Sequence, residues 1–260
     1  MPLQGDQLSR MTIRGFKSIK NCDISFGKIN VLIGSNGAGK SNFISAFSFL
    51  QNILSKNLQV SVGQSGLSSL LYKGRKVTEE IDFEVFFGQN SYGFALIPTD
   101  DNRLIFREEY FGYHGGWNNA SPIGHGHSES HWESAAHNGI DDYVATILRK
   151  QNWRVYHFHD TGKDARVKQE HNISNNKMLL YDAANLAAFL YRLKNFFKPN
   201  YDEIVETIRL VAPYFDDFVL EPQEGNEEQI VLRWCQTGCE DVFNASQLSD
   251  GTLRFICLTT

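Results

Sequence analysis

Residues 29–50 constrain the fold more than any other stretch: Ile-Asn-Val-Leu-Ile-Gly-Ser-Asn-Gly-Ala-Gly-Lys-Ser-Asn-Phe-Ile-Ser-Ala-Phe-Ser-Phe-Leu. The apolar run Ile29–Ile33 reads as a buried strand that stops at Gly34. Residues 34–41 match G-x-x-x-x-G-K-[ST], and Phe43, Ile44, Phe47 and Leu50 then recur at helical spacing. A strand, a glycine-rich loop and a helix in that order form a phosphate cradle. Its glycines let the backbone approach an anion closely. The N–H groups of residues 36–41 would converge on the phosphates at the positive end of the helix. Lys40 would reach the β- and γ-phosphates, and the Ser41 hydroxyl would ligate a Mg²⁺ bridging them. The predicted binding set is Gly34, Ser35, Asn36, Gly37, Ala38, Gly39, Lys40, Ser41 and Asn42.

A chain of 260 residues can bury a substantial core, and 42% hydrophobic with 21% charged residues is ordinary for a soluble globular protein. The net charge of −5 excludes a global basic field for nucleic acid, leaving only a local patch or a partner for that role. Four scattered cysteines without a C-x-x-C pair fit a reducing compartment. No run approaches 18 apolar residues and the first residues lack a signal-peptide core, so a cytoplasmic protein with no membrane partner is expected.

Along the chain, Met11–Phe16 and the alternating Asn21–Phe26 read as strands before the loop, which predicts a sheet mixing antiparallel and parallel pairs. The loop's helix should run to about residue 56, and residues 61–78 read as a connecting loop. Ile81–Phe87, Tyr92–Pro98 and Arg103–Phe111, separated by turn residues, predict a β-meander. Residues 112–139 lose apolar periodicity and read as an insertion. A short helix over 140–150, a strand over 153–159, helices over 179–197 and 201–211, strands over 218–220 and 229–234 and a helix from Ser249 complete the pattern. The predicted organisation is one head: a β lobe over 11–111, an insertion over 112–152 and a second lobe over 153–260.

Residues 248–252, Leu-Ser-Asp-Gly-Thr, precede that last helix. Alone they read as a helix N-cap at Ser249. They also resemble the Leu-Ser-Gly-Gly-Gln signature of ATP-binding-cassette ATPases, and they lie about 200 residues after the Gly-x-Asn-Gly-x-Gly-Lys-Ser-Asn loop. With Ile13-Arg-Gly-Phe-Lys-Ser18 upstream, the set resembles the SMC/RecF-like ATPases, more narrowly bacterial AAA family ATPases of the RecF/OLD type. The resemblance covers 11–56 and 153–260 and is poor over 60–150. It implies an α/β P-loop head that sandwiches ATP and Mg²⁺ between two copies, a homodimer. Ser249, Asp250 and Gly251 of one head would then cap the γ-phosphate held by the other. Asp250 stands where the family has glycine, and its carboxylate must point away from the triphosphate or meet a cation. Phe16, Lys17 and Ser18 would lie near the base and ribose, with core packing the equal reading for Phe16.

The resemblance also implies an apolar Walker B strand ending in Asp-Glu after the signature, and residues 1–260 contain none in that order. The catalytic carboxylate is therefore unassigned, and an N-terminal piece of a head, inactive alone, is expected. His159 and Asp160 stand as weak candidates for sensing the γ-phosphate, against a satisfied strand end. Seven of eight histidines fall in 114–159, and His125, His127, His131 and His137 in one loop read either as a metal site or as an exposed polar loop. Arg149, Lys150, Arg154, Lys163, Arg166 and Lys168 read as a solvated face or a phosphate-backbone contact. The expected function is an ATPase head whose engagement gates a DNA-related activity, in repair or phage defence, with DNA or an effector nuclease as possible partners. A nucleotide-gated dimerisation module with negligible hydrolysis is the alternative. A GTPase is disfavoured because no Asn-Lys-x-Asp occurs.

Overall fold

The computed structural model describes residues 7–115, 119–135, 140–150 and 153–260, with Ile140 and Lys150 described by backbone alone. The chain divides into two compact units, Met1–Arg154 and Val155–Thr260.

The first unit contains β1 (Arg10–Phe16), β2 (Ile19–Ser25), α1 (Lys40–Leu54), α2 (Leu58–Ser65), α3 (Leu67–Leu70), β3 (Ile81–Phe87), β4 (Asn90–Pro98), β5 (Leu104–Tyr113), β6 (Asn119–Gly124), α4 (Trp132–Ala135) and α5 (Ile140–Lys150). The strands form one sheet in the order β2-β1-β3-β4-β5-β6, every neighbouring pair antiparallel. Alternation along the strands separates its two faces. Met11 and Ile13 in β1 and Ile81, Phe83 and Val85 in β3 point into the core with Phe43, Phe49, Leu50 and Ile53 of α1. The other face carries cross-strand ion pairs. Arg10 bonds Asp23 with Nε at 2.6 Å, while Arg14 meets Asp82 at 2.8 Å and also Glu80, and Arg107 Nε lies 3.1 Å from Glu80.

The second unit contains β7 (His171–Asn172), α6 (Leu186–Phe196), α7 (Lys198–Val211), β8 (Phe215–Val219), β9 (Pro222–Gln223), β10 (Asn226–Ile230), β11 (Arg233–Gln236), β12 (Val242–Asn244) and α8 (Asp250–Thr259). Its two antiparallel sheets run β7-β10-β9 and β12-β11-β8. Phe197 serves as the cap between α6 and α7, and Pro199 sits in the first turn of α7, where its missing N–H costs nothing. Leu186, Leu190, Ile204, Ile208, Phe215, Phe218, Trp234, Leu253 and Ile256 close one core.

The α/β class is the expected one, but several elements differ from the sequence reading. Residues 29–33 form no paired strand, and Ile29, Val31 and Ile33 are 86, 75 and 90% exposed. A continuous apolar run buries itself only between flanking strands. Here β1 is flanked by β2 and β3, and the chain leaves the sheet at a Gly27–Asn30 turn closed by two side-chain hydrogen bonds of 2.9 and 3.0 Å. The parallel pairing expected beside the loop is therefore not made among the described residues. Residues 153–159 likewise form no strand. Half of residues 61–78 form the end of α2 and α3, and only the rest connects them to β3. Helix α6 begins at Leu186 rather than Leu179, because Asn185 folds the preceding segment by accepting from Leu180 N–H and donating to the carbonyls of Asn175 and Met178.

The insertion is the largest departure. Its residues 119–124 extend the meander as β6, Trp132 is packed into the first core, and Ser130 is fully buried. Glu109 is fully buried on β5 and takes donors from Tyr92 Oη at 2.5 Å, the Ser130 hydroxyl, His127 Nε2 at 2.9 Å and His131 N–H at 3.0 Å. Burial, together with Glu109, drives the Tyr92 pKa upward. His127 is stacked between Phe106 and His131, at 4.5 and 4.3 Å. Glu129 caps α2 by accepting from Leu58 and Gln59 N–H at 2.8 and 3.0 Å. The polar loop expected here is exposed at His125, Ser128 and His131, yet His127 and Ser130 latch it onto a buried carboxylate. Polar composition concealed it because the residues satisfying that carboxylate are themselves polar. His137 lies outside the described residues, and among those described no group of three or more His, Cys, Asp or Glu side chains is placed to hold a metal ion.

Candidate nucleotide-binding site

The loop at 34–39 ends where α1 begins. Gly39 is the N-cap at φ 93° and Gly37 lies at φ 82°, both in the left-handed region that glycine enters without steric cost. Gly39 has no side chain, so no side-chain cap occupies the first-turn N–H groups of α1. Those groups are orphaned donors at the positive end of the helix dipole, available to an anion. Lys40 Nζ bends back onto the loop and donates to the carbonyls of Gly34 and Ser35 at 2.7 and 2.8 Å. The ammonium is therefore held inside the curl of the loop, where a phosphate would offer it better acceptors. Ser41 is exposed as the second helical residue and Asn42 is half-buried as the third. Loop length, missing Cβ atoms and a retained ammonium fit a polyphosphate with its Mg²⁺.

The β1–β2 hairpin turn abuts this loop. Phe16 is fully buried, with ring centroids 5.1 Å from Phe49 of α1 and 5.4 Å from Phe83 of β3. Of its two readings the core one holds, since the ring has no surface left for a base. Lys17 takes φ 49° in the turn, and burial lowers its pKa. Ser18 Oγ accepts from Asn42 Nδ2 at 2.7 Å.

In the second unit, Ser249 is the N-cap of α8 and accepts from Thr252 N–H at 3.1 Å, and its hydroxyl lies 2.8 Å from Thr252 Oγ1. Asp250 and Gly251 form the exposed first turn. Further along α8, Arg254 donates to the His159 carbonyl at 3.0 Å. Asp160 is exposed and accepts from Gly162 N–H at 3.2 Å, a local turn. Of the basic cluster, Arg166 pairs with Asp182 at 2.7 Å and Lys168 donates to the Thr161 carbonyl at 2.6 Å. The Arg254 anchor was not legible in the sequence, because it joins residues 95 positions apart through a backbone carbonyl.

The family described as "AAA domain, putative AbiEii toxin, Type IV TA system" matches residues 29–260, beginning at the apolar run before the phosphate loop. The chain belongs to this AAA-domain family. Among solved structures it is similar to one described as the SmcHead bound to the C-winged helix domain of ScpA, at 16% identity and a TM-score of 0.51, covering 97% of this chain and 74% of that one. It also matches a structure from a study of ATP-driven dimerization and DNA stimulated activation of SMC ATPases, at 18% identity, a TM-score of 0.31 and coverages of 55 and 77%, too remote to bear on the fold. No curated protein matches the chain. The family is one of AAA domains, ATP-binding ATPase domains, and the fold is shared with the solved SMC head. Among the described residues of this AAA domain, no helix is long and apolar enough to cross a membrane.

Proposed function

We propose that Gly34–Asn42 hold the phosphates of ATP, with the first-turn N–H groups of α1 and Lys40 as donors and Ser41 as the Mg²⁺ ligand. The observation that carries this reading is the uncapped, left-handed Gly39 start of α1 beside a lysine folded into the loop. Lys40 would exchange two carbonyl acceptors for charged phosphate oxygens, which makes the stronger charge-assisted bonds. Bound Mg²⁺ would neutralise charge on the β- and γ-oxygens. Thermal shift with Mg-ATP tests the assignment. Ligand bound only by the folded state stabilises by RT ln(1 + [L]/Kd), about 2.7 kcal/mol at 100 Kd. Lys40→Ala should abolish the shift, and equal shifts in both proteins would remove the site.

The same reading places Ser249, Asp250 and Gly251 against ATP held by a second copy, so that two heads close as a two-fold pair. An exposed helix start with a hydroxyl at its N-cap supports that role through its dipole. Asp250, also in that first turn, would have to turn away or meet a cation. Engagement of two heads would gate a DNA-related output in repair or defence, with DNA or a nuclease as partner. The second reading is a module that pairs on ATP and turns over negligibly. Phosphate release at background rate by the 260-residue chain is the result that reading expects.

A further inference from the structure

We infer that Ser18 and Asn42 form a positioning pair that sets the first turn of α1, and with it the aim of the phosphate-binding N–H groups. The inference rests on the nucleotide-site reading above and adds Ser18, which acts on the site from outside it through Asn42.

Besides the apolar contacts of Phe43, Leu50 and Ile53, helix α1 makes two contacts with the β1–β2 hairpin two turns apart on one face. At Phe49 the attachment is apolar, ring against ring with Phe16 at 5.1 Å. Seven residues earlier, at Asn42, it is polar, Nδ2 to Ser18 Oγ at 2.7 Å. Both anchors on the sheet side come from the same hairpin turn, and that turn is rigidly held. Phe16 pairs with Ile19 across it, Lys17 N–H donates to the Leu70 carbonyl at 2.8 Å, and Phe16 bridges to Leu71. The third residue of a helix commonly turns its side chain back to the N-cap. Here it turns outward to the hairpin, which leaves the orphan N–H groups unclaimed. The Ser18 hydroxyl also lies against the N-cap itself: a Cβ on Gly39 would sit 3.3 Å from Ser18 Oγ. One hydroxyl therefore fixes both ends of the first turn. Phe16 fixes the depth of the helix, and Ser18 its rotation where the anion binds.

Mg-ATP titrated calorimetrically into the 260-residue chain tests the pair. Ser18→Ala and Asn42→Ala should each weaken binding about 3- to 10-fold, ~0.7–1.4 kcal/mol, the size of one hydrogen bond. The double variant should be no weaker than the worse single, because both remove the same bond. Ser18→Thr keeps the hydroxyl and should restore affinity to within about twofold. The ligand-free Tm should move little, since Ser18 is exposed, so a fall in Tm that tracks the affinity loss would make the pair merely structural and overturn the inference. Wild-type affinity in Ser18→Ala, losses that multiply in the double variant, or no rescue by threonine would also overturn it. If Lys40→Ala abolishes binding while Ser18→Ala does not weaken it, only this inference falls. If the wild type does not bind, both fall.

Discussion

Gly37 and Gly39 offer a paired test of how firmly the phosphate loop is held. Both have positive φ, 82° and 93°, so alanine at either pays the left-handed penalty of roughly 1–2 kcal/mol. Their surroundings differ. A Cβ at position 37 meets nothing within 4 Å, whereas at position 39 it meets Ser18 Oγ at 3.3 Å. That contact is tighter than ordinary packing, and Ser18 cannot retreat freely because it holds Asn42 at 2.7 Å. Gly39→Ala therefore pays the backbone penalty and a contact penalty, together about 2–3 kcal/mol once local strain is added. For a chain of this size, ~1 kcal/mol moves Tm by about 2–4 °C. The expected order is wild type, then Gly37→Ala lower by about 2–8 °C, then Gly39→Ala lower by a further few degrees. Calorimetric or dichroism melts of the ligand-free chain read this directly. Mg-ATP should rescue neither variant fully, because alanine at these positions tilts the N–H groups of the loop. Equal melting of the two variants would show that Ser18 does not press on Gly39, and wild-type melting of both would show that the loop dihedrals are not held.

Four other outcomes are expected. Phe16→Ala should cost about 3–5 kcal/mol of stability in urea, the usual size for a buried phenylalanine, and a variant that keeps stability but loses ATP would return Phe16 to the nucleotide site. Glu109→Gln should cost about 2–6 kcal/mol, because the amide oxygen serves two of four buried donors and leaves the others facing an N–H₂; denaturation within 1 kcal/mol of wild type would mean the latch is open. Ser249→Arg should leave Mg-ATP binding intact yet block ATP-dependent pairing in sedimentation velocity, and a pair indifferent to both ATP and the substitution would reduce 248–252 to a helix cap. Although burial raises the Asp217 pKa, hydrogen bonds from Tyr201 at 2.6 Å and Lys194 at 2.9 Å outweigh it and hold the pKa below 3.8. A depressed folded pKa gives stability that is full above the unfolded value and lost as pH falls through the folded one. Asp217→Asn should therefore destabilise near pH 6, with the gap to wild type closing below about pH 4, and a gap constant with pH would remove that linkage.

Local chemistry determined what could be read without coordinates. Glycines at 34, 37 and 39 followed by Lys40 and Ser41 specify a turn into a helix whose first N–H groups stay free, and i, i+3, i+4 spacing through Phe43, Phe47 and Leu50 specifies which face of α1 is apolar. Strand-like runs at 81–87, 92–98 and 103–111 separated by turn residues specified the meander, and Ser249 before an apolar helix specified the cap of α8. These signals lie within one turn or one strand, so neighbouring residues decide them. What the tertiary structure decided involves partners far apart in the chain. Ile29–Ile33 has the composition of a buried strand, yet burial needs flanking strands, and composition cannot report whether they are present. Phe16 is equally suited to a base or a core, and only Phe49 and Phe83, 33 and 67 residues later, choose the core. Residues 125–132 read as solvated because their histidines, serines and glutamate are polar. Ser130 among them is nevertheless fully buried and the His127 side chain nearly so, because Glu109, on another strand, supplies the acceptor that lets those donors leave water without losing their hydrogen bonds.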